Sequence, residues 1–291
     1  LWQPDASELS VALHQLRLAR TRLGLTVGVG LGLSGVLMQA LTRNPLADPG
    51  LFGVNAGAAL AVVCAIAIAG VTEPSVYLWF ALAGAGAAGL LVYAIGAGGR
   101  SASHTRLALA GIAVAASLHS ITHGFTTLNA TAWDEIRFWL VGAFAGRDLG
   151  VVTAVAPLVA LGAVIALPLG RSLNAIALGD DTGRALGAHP GRIRMLGALA
   201  VLLMCGAATA GAGPISFVGL AVPHMVRLLT GPDHRWVLAL TAVWTPALLL
   251  TADVLGRVVA FPAEVPVGIV TAFLGAPVFI LLLRRGRTVA Q

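Results

Sequence analysis

The 291-residue chain contains no lysine: all 18 of its basic residues are arginine. A nucleotide-binding P-loop needs a lysine to reach the β- and γ-phosphates, so the chain does not hydrolyse ATP through that machinery. Charge of either sign is scarce. Only 10% of residues are charged while 58% are hydrophobic, against about 25% and about 45–50% in soluble domains. Too little polar surface remains to cover a water-soluble body of this size. The two cysteines, Cys64 and Cys205, are isolated within apolar runs, which removes any disulfide or cysteine-metal argument. No acidic or basic low-complexity tail is present, and residues 1–20 are polar and do not read as a cleavable signal peptide.

What the chain has in quantity is long apolar runs, with a mean hydropathy of +0.90. Nine of them approach the ~20 residues that cross a hydrocarbon core: roughly 21–42, 54–70, 76–98, 107–128, 151–170, 195–211, 213–230, 236–256 and 266–283. The expected class is an all-α polytopic membrane protein, residues 1–291 forming one transmembrane domain. Glycine and alanine recur at short spacings, as at Gly24/Gly28 and between Gly84 and Gly89, which suits close helix packing. The pI of 10.9 does not imply nucleic acid, because the arginines cluster at the ends of the apolar runs as topology signals do. With the C-terminal Arg284, Arg285 and Arg287 in the cytoplasm, twelve arginines fall inside and six outside. The odd span count then places residue 1 outside, and a further span upstream is expected.

The longest polar insertion is 171–194, on the cytoplasmic side. Ser172 is expected to cap a short helix carrying Leu173, Ile176 and Ala177. Gly179 ends it, and Asp180, Asp181 or Thr182 caps a second helix bearing Ala185 and Leu186. Exposed apolar residues on two small helices suit docking of a partner; an ordinary interfacial loop is the alternative.

Motifs of soluble chemistry fail on context. Gly30, Gly32 and Gly35 match GxGxxG inside an apolar span, with no preceding strand. His119 and His123 share a helical face, but Ser120 stands where a zinc protease needs glutamate. A satisfied or pore-lining pair is the reading there. Asp253 and Arg257 lie four apart on one helix, as an internal ion pair or a substrate site. Arg17 and Arg20 put positive charge on one face at the outer mouth, as interface anchors or as receivers of acidic residues from an extracellular partner.

Two segments, GLSGVLMQALTRNPLADPGLFGVNAGA (32–58) and GPISFVGLAVPHMVRLLTGPDHR (213–235), resemble hallmarks of the binding-protein-dependent ABC permeases for iron-siderophores, haem and cobalamin. The resemblance continues through 177–187, 249–257 and 265–283. It implies a ten-helix permease fold, of which this chain holds the second through tenth helices. It also implies use as a dimer with a second copy or a homologous permease, two ATP-binding subunits that carry ATP and Mg, and an extracytoplasmic substrate-binding protein. The chain itself would bind no cofactor, and its place would be the bacterial plasma or inner membrane with the C-terminus cytoplasmic. Within 171–194, Leu173, Ile176, Ala177, Leu178, Gly179, Ala185, Leu186 and Gly187 correspond to the coupling segment that seats on the ATP-binding subunit. Arg17 and Arg20, in an Arg-Leu-Ala-Arg run where the family has Arg-Leu-Pro-Arg, correspond with Arg257 to positions that meet acidic residues of the binding protein. Ser103, His104 and Thr105 correspond to the gate region. The translocation path is expected to be lined by small apolar faces of the first, fourth and seventh spans. A stand-alone secondary transporter or channel is the competing class, weakened by the lack of a central carboxylate in any span. A structural subunit whose sister lines most of the path is a third.

Overall fold

The computed structural model describes residues 17–71, 73–97 and 104–287. Among these, twelve α-helices follow one another: α1 (Leu18–Thr42), α2 (Val54–Ala69), α3 (Pro74–Ala97), α4 (His104–Leu128), α5 (Ala130–Val141), α6 (Leu149–Ala166), α7 (Gly170–Ala177), α8 (Asp180–Ala185), α9 (Pro190–Ala212), α10 (Val218–Thr230), α11 (His234–Val259) and α12 (Val267–Arg287). Five stretches are long and apolar enough to cross a membrane: Leu18–Thr42, Val76–Gly96, Leu149–Ala177, Pro190–Ala212 and His234–Val259. Val54–Ala69, Val218–Thr230 and Val267–Pro277 are shorter apolar helices. The protein is a multi-pass helical membrane protein. In such a protein each helix satisfies its own backbone, which is why helices alone fill the apolar runs.

The nine apolar runs map onto helices, with two departures. Residues 213–217 are not helical, and α10 begins only at Val218, so that run is a half-length helix after a non-helical entry. Helix α5 has no counterpart among the runs, because ATAWDEIRFWLV is too short and too charged to read as a span.

Helix α1 is the axis of the fold. It is buried for 78% of its apolar window and is wrapped by α6, α9, α10 and α11. Its glycines make this possible. A Cβ on Gly28 would lie 2.5 Å from the Pro246 Cα of α11, and one on Gly35 would lie 2.0 Å from the Gly219 carbonyl oxygen of α10. Backbones therefore touch where a side chain would force them apart. The GxGxxG match of Gly30, Gly32 and Gly35 is part of this packing surface, deep in the bundle. Helices α2, α3 and α4 form a second group, joined to the first through α9.

The burial of α1 corrects the expected pore lining. Its small residues face neighbouring helices of the same chain, and the first half of α10, Val218 to Pro223, is buried too. Of the three spans expected to line a path, α4 presents an open polar face, with Ser117, Ser120, His123 and Thr127 exposed, whereas α1 is open only near its start and α10 only at Leu228 and Leu229. His119 is also exposed, and His123 Nδ1 lies 3.0 Å from Thr127 Oγ1.

Candidate functional site

Helices α1 and α11 run antiparallel along their length, so the start of one meets the end of the other. This places two groups of functional side chains at opposite ends of the same helix pair.

At the first end, Arg20 of α1 grips Asp253 of α11. Its Nε donates to both carboxylate oxygens at 3.0 and 2.9 Å, and Nη2 donates at 2.7 Å. Nη1 donates to Glu264 Oε2 at 2.7 Å. The Asp253 side chain is only 4% exposed, so the paired guanidinium is what allows a carboxylate there. Arg257 lies 3.6 Å from the same carboxylate, outside hydrogen-bonding distance. The ion pair expected within α11 is thus secondary to a cross-helix clamp. Around the clamp opens a cavity of about 600 Å³, lined by Arg17, Arg20, Phe144, Ala145, Gly146, Arg147, Arg257, Phe261, Pro262, Ala263 and Glu264. Four arginines face two carboxylates, leaving the cavity positive. The clamp sorts the three arginines expected to dock a partner. Arg20 is neutralised internally, whereas Arg17 is exposed and Arg257 is partly so.

Arg147 escaped the sequence reading as anything but a topology signal. Its Nη1 donates to the Tyr77 hydroxyl at 2.6 Å, and the guanidinium stands 5.8 Å from the Tyr77 ring centre. Its Nε is buried without a hydrogen-bond partner. The available signal was the Arg147-Asp148 pair closing the apolar loop VGAFAG, which sequence separation disconnects from Arg17 and Arg20.

At the opposite end, α7 and α8 fold against the bundle. Ser172 lies inside α7, which continues from α6 through the 3-10 turn Leu167–Leu169, so the expected serine cap is not made. Gly179 adopts φ +111°, a conformation that favours glycine, and turns the chain from α7 into α8. Asp180 opens α8 without capping it. Its carboxylate accepts from Arg43 Nη2 at 2.6 Å and from Arg194 Nη2 at 2.8 and 3.0 Å. Partial burial works to raise the Asp180 pKa, but Arg194 and Arg43 outweigh it and hold the carboxyl below its ordinary value. Arg43 Nη2 also donates to the Ile176 carbonyl at 2.7 Å. Asn174 of α7 donates to Asp233 Oδ1 at 2.7 Å, and its Oδ1 accepts from the backbone N–H and ring Nδ1 of His234 at 2.9 and 2.8 Å. The segment is therefore tied to α1 and α9 through Asp180 and to α11 through Asn174.

The eight residues expected to dock a motor subunit divide into two sets. Leu173 and Ile176 are 1% and 3% exposed and pack inward. Ala177, Leu178, Ala185, Leu186 and Gly187 are exposed, Leu178 at 66% and Leu186 at 63%, and Gly179, half-buried at the turn, stands between the two sets. The amphipathic pattern of α7 serves the bundle, and the outward apolar surface comes from the turn and from α8. Of the gate residues, Ser103 lies outside the described residues, and His104 and Thr105 open α4.

The hallmark segments converge at this same end. A recess of about 390 Å³ is lined by Gln39, Ala40, Arg43 and Pro45 from the first, by His224, Arg227, Leu228 and His234 from the second, and by Ala177 of α7. Arg227 Nη1 donates to Gln39 Oε1, and Gln39 Nε2 donates to the Leu220 carbonyl at 3.3 Å.

A glycine-packed membrane bundle with a surface helix pair seated on its axial helices is the architecture of an ABC importer permease, and the comparisons agree. The structure superposes with a TM-score of 0.88 on a metal-chelate type ABC transporter in an inward-facing conformation, at 28% identity, covering 98% of this chain and 91% of that one. Residues 1–285 match the FecCD transport family, and the chain belongs to that family. It is 50% identical over 270 residues to the ferric enterobactin transport system permease protein FepD of Escherichia coli, covering 92% of this chain and 80% of that protein. It is 44% identical over 283 residues to the Fe(3+)-citrate import system permease protein YfmD of Bacillus subtilis, covering 97% of this chain and 84% of that protein. The hemin transport system permease protein HmuU of Yersinia pestis is 35% identical over 277 residues, covering 94% of this chain and 83% of that protein.

Proposed function

We propose that this permease imports an iron-siderophore, working with a second permease copy or a homologous permease, two ATP-binding subunits and an extracytoplasmic binding protein in the bacterial plasma membrane. Similarity to permeases for ferric enterobactin and ferric citrate supports the cargo; haem and cobalamin are the nearest alternatives. Both named iron chelates are anionic, and the positive cavity at the first end is the observation that carries the reading. The binding protein docks there, its acidic residues meeting Arg17 and Arg257 while Arg20 holds the helix pair closed beneath them. Residues 171–194 form the cytoplasmic coupling segment, and the surface of Leu178, Ala185 and Leu186 seats on the ATP-binding subunit. Hydrolysis of ATP with Mg takes place on that subunit. Closure of the motor pulls the segment, which moves α1 and α11 through Asp180 and Asn174. No bond of the cargo is made or broken. The polar face of α4 lines the path between the two permeases, with His104 and Thr105 at its gate end and the C-terminus in the cytoplasm.

The test is reconstitution in liposomes with a cognate ATP-binding subunit and binding protein. Uptake of a radio-iron catecholate or citrate chelate that depends on ATP and on the binding protein is expected. Charge reversal of Arg17 and Arg257 to glutamate is expected to weaken capture of the binding protein, most visibly at low salt, where screening is least. Uptake that runs without ATP refutes the reading in favour of a secondary transporter. ATP-driven uptake of haem or cobalamin but not of either chelate moves the cargo assignment alone.

A further inference from the structure

The recess where the two hallmark segments meet has a chemistry that the transport reading does not use. Arg227 stands in its wall, half-buried, with a single side-chain hydrogen bond to the neutral Gln39 and no carboxylate within ion-pair distance among the described residues. Nearby acids are already committed: Asp180 to Arg43 and Arg194, and Asp233 to Asn174 and the Arg235 backbone N–H. A half-buried guanidinium without a counter-charge is an unfavourable arrangement that an anion would relieve. His224 lies one turn before Arg227 on the same helical face and lines the same recess. His234 donates its Nδ1–H to Asn174, which leaves the other ring nitrogen an acceptor, so this imidazole shapes the recess without adding a donor. Arg43 stands at the rim. Beside these donors Leu228 and Leu229 are 69% and 66% exposed.

We propose that this recess binds a phosphate group at the membrane surface. The guanidinium fork of Arg227 and the imidazole of His224 approach from one wall and Arg43 from another, which suits a tetrahedral oxyanion better than a single point charge would. A volume of about 390 Å³ leaves room for the group that carries the phosphate. The recess lies where α1 ends and α11 begins, at the edge of two membrane spans. Exposed leucines there offer the surface that an acyl chain would cover. The phosphate has two sources, a phospholipid headgroup or the free ion, and Ala177 in the wall brings either one against the α7–α8 segment. This inference rests on the membrane-spanning character of the chain and is independent of which cargo it carries.

The full chain, purified and exchanged into mixed phosphatidylglycerol and phosphatidylcholine, would be examined by native mass spectrometry for retained lipid, and by calorimetry with inorganic phosphate. One retained phosphatidylglycerol per chain is expected, with retention lowered about tenfold by Arg227→Gln, the order of one charge-assisted bond. Arg227→Lys keeps charge without the fork and is expected to fall between. His224→Gln supplies an independent reduction if Arg227→Gln does not fold. Arg192→Gln removes an exposed charge at the same end, outside the recess, and is expected to change nothing. Binding of inorganic phosphate that Arg227→Gln abolishes, without lipid retention, assigns the recess to the free ion. Absence of both kinds of binding overturns the proposal. So does a loss in Arg192→Gln equal to that in Arg227→Gln, which would mean diffuse surface attraction.

Discussion

Replacing Asp180 with asparagine removes one charge and should loosen one segment while leaving the bundle intact. The Asp180 side chain is 27% exposed and its partners Arg43 and Arg194 are each 38% exposed, so neither pair has the strength of a buried one. Exposed pairs contribute about 0.2–1 kcal/mol each; two sharing one carboxylate with short contacts come to about 1.4 kcal/mol, a factor of about ten in a local opening equilibrium. Hydrogen exchange of the backbone amides of residues 176–188 in Asp180→Asn should therefore quicken about tenfold, while those of α1 and α9 keep their protection. The pH dependence carries a sign. The folded carboxyl lies below its ordinary pKa, so its stabilisation is fully present above the unfolded value of about 3.9 and is lost as pH falls through the folded value. The difference between wild type and variant should stay flat from pH 8 to 5 and close only in more acidic solution. In the reconstituted complex the same variant should hydrolyse ATP with less uptake per ATP. Exchange at 176–188 that is unchanged in both Asp180→Asn and Arg43→Gln would show that the carboxylate does not hold the segment.

Other substitutions separate packing from docking. Arg20→Gln strands the buried Asp253 and should lower stability by about 3 kcal/mol, read from thermal unfolding; adding Asp253→Asn should recover most of it, and a neutral single variant would refute the clamp. Gly35→Ala, with its new carbon facing the Gly219 carbonyl, should cost about 1–3 kcal/mol in the same assay. Gly124→Ala, where nothing lies within 4 Å of the added carbon, should be neutral or slightly stabilising. Leu186→Glu should leave melting unchanged but weaken co-purification of the ATP-binding subunit, whereas Leu173→Glu should destabilise the chain itself.

The spans were legible because hydrocarbon thickness imposes a length that composition reveals directly. Helix α5 was not, since Asp134, Glu135 and Arg137 interrupt its apolar pattern. The Arg20–Asp253 clamp joins residues 233 positions apart, and no local spacing encodes it; Arg257, four positions from Asp253, was the visible partner and proved the more distant one. Leu173 and Leu186 read alike as apolar residues of short helices, yet one faces the bundle and the other the solvent. Only the path of α7 across the ends of α1 and α11 decides between them. The convergence of the two hallmark segments on Arg227 was likewise hidden, because each reads as a continuous stretch with its own internal pattern.

The Gly28–Pro246 contact has a mechanical consequence. With backbone resting on backbone, α1 cannot slide along α11 without lifting over the proline ring or over Thr245, whose side chain fills the space beside Gly32. The pair therefore behaves as one strut, about 37 Å long by the rise of a 25-residue helix. A push on the end at Arg43 therefore reaches Arg20 at the other end as a tilt of the whole strut. Under the proposed coupling role, a short lever arm at residues 171–194 repositions the arginine-lined cavity at the opposite end of the helix pair with little travel of its own.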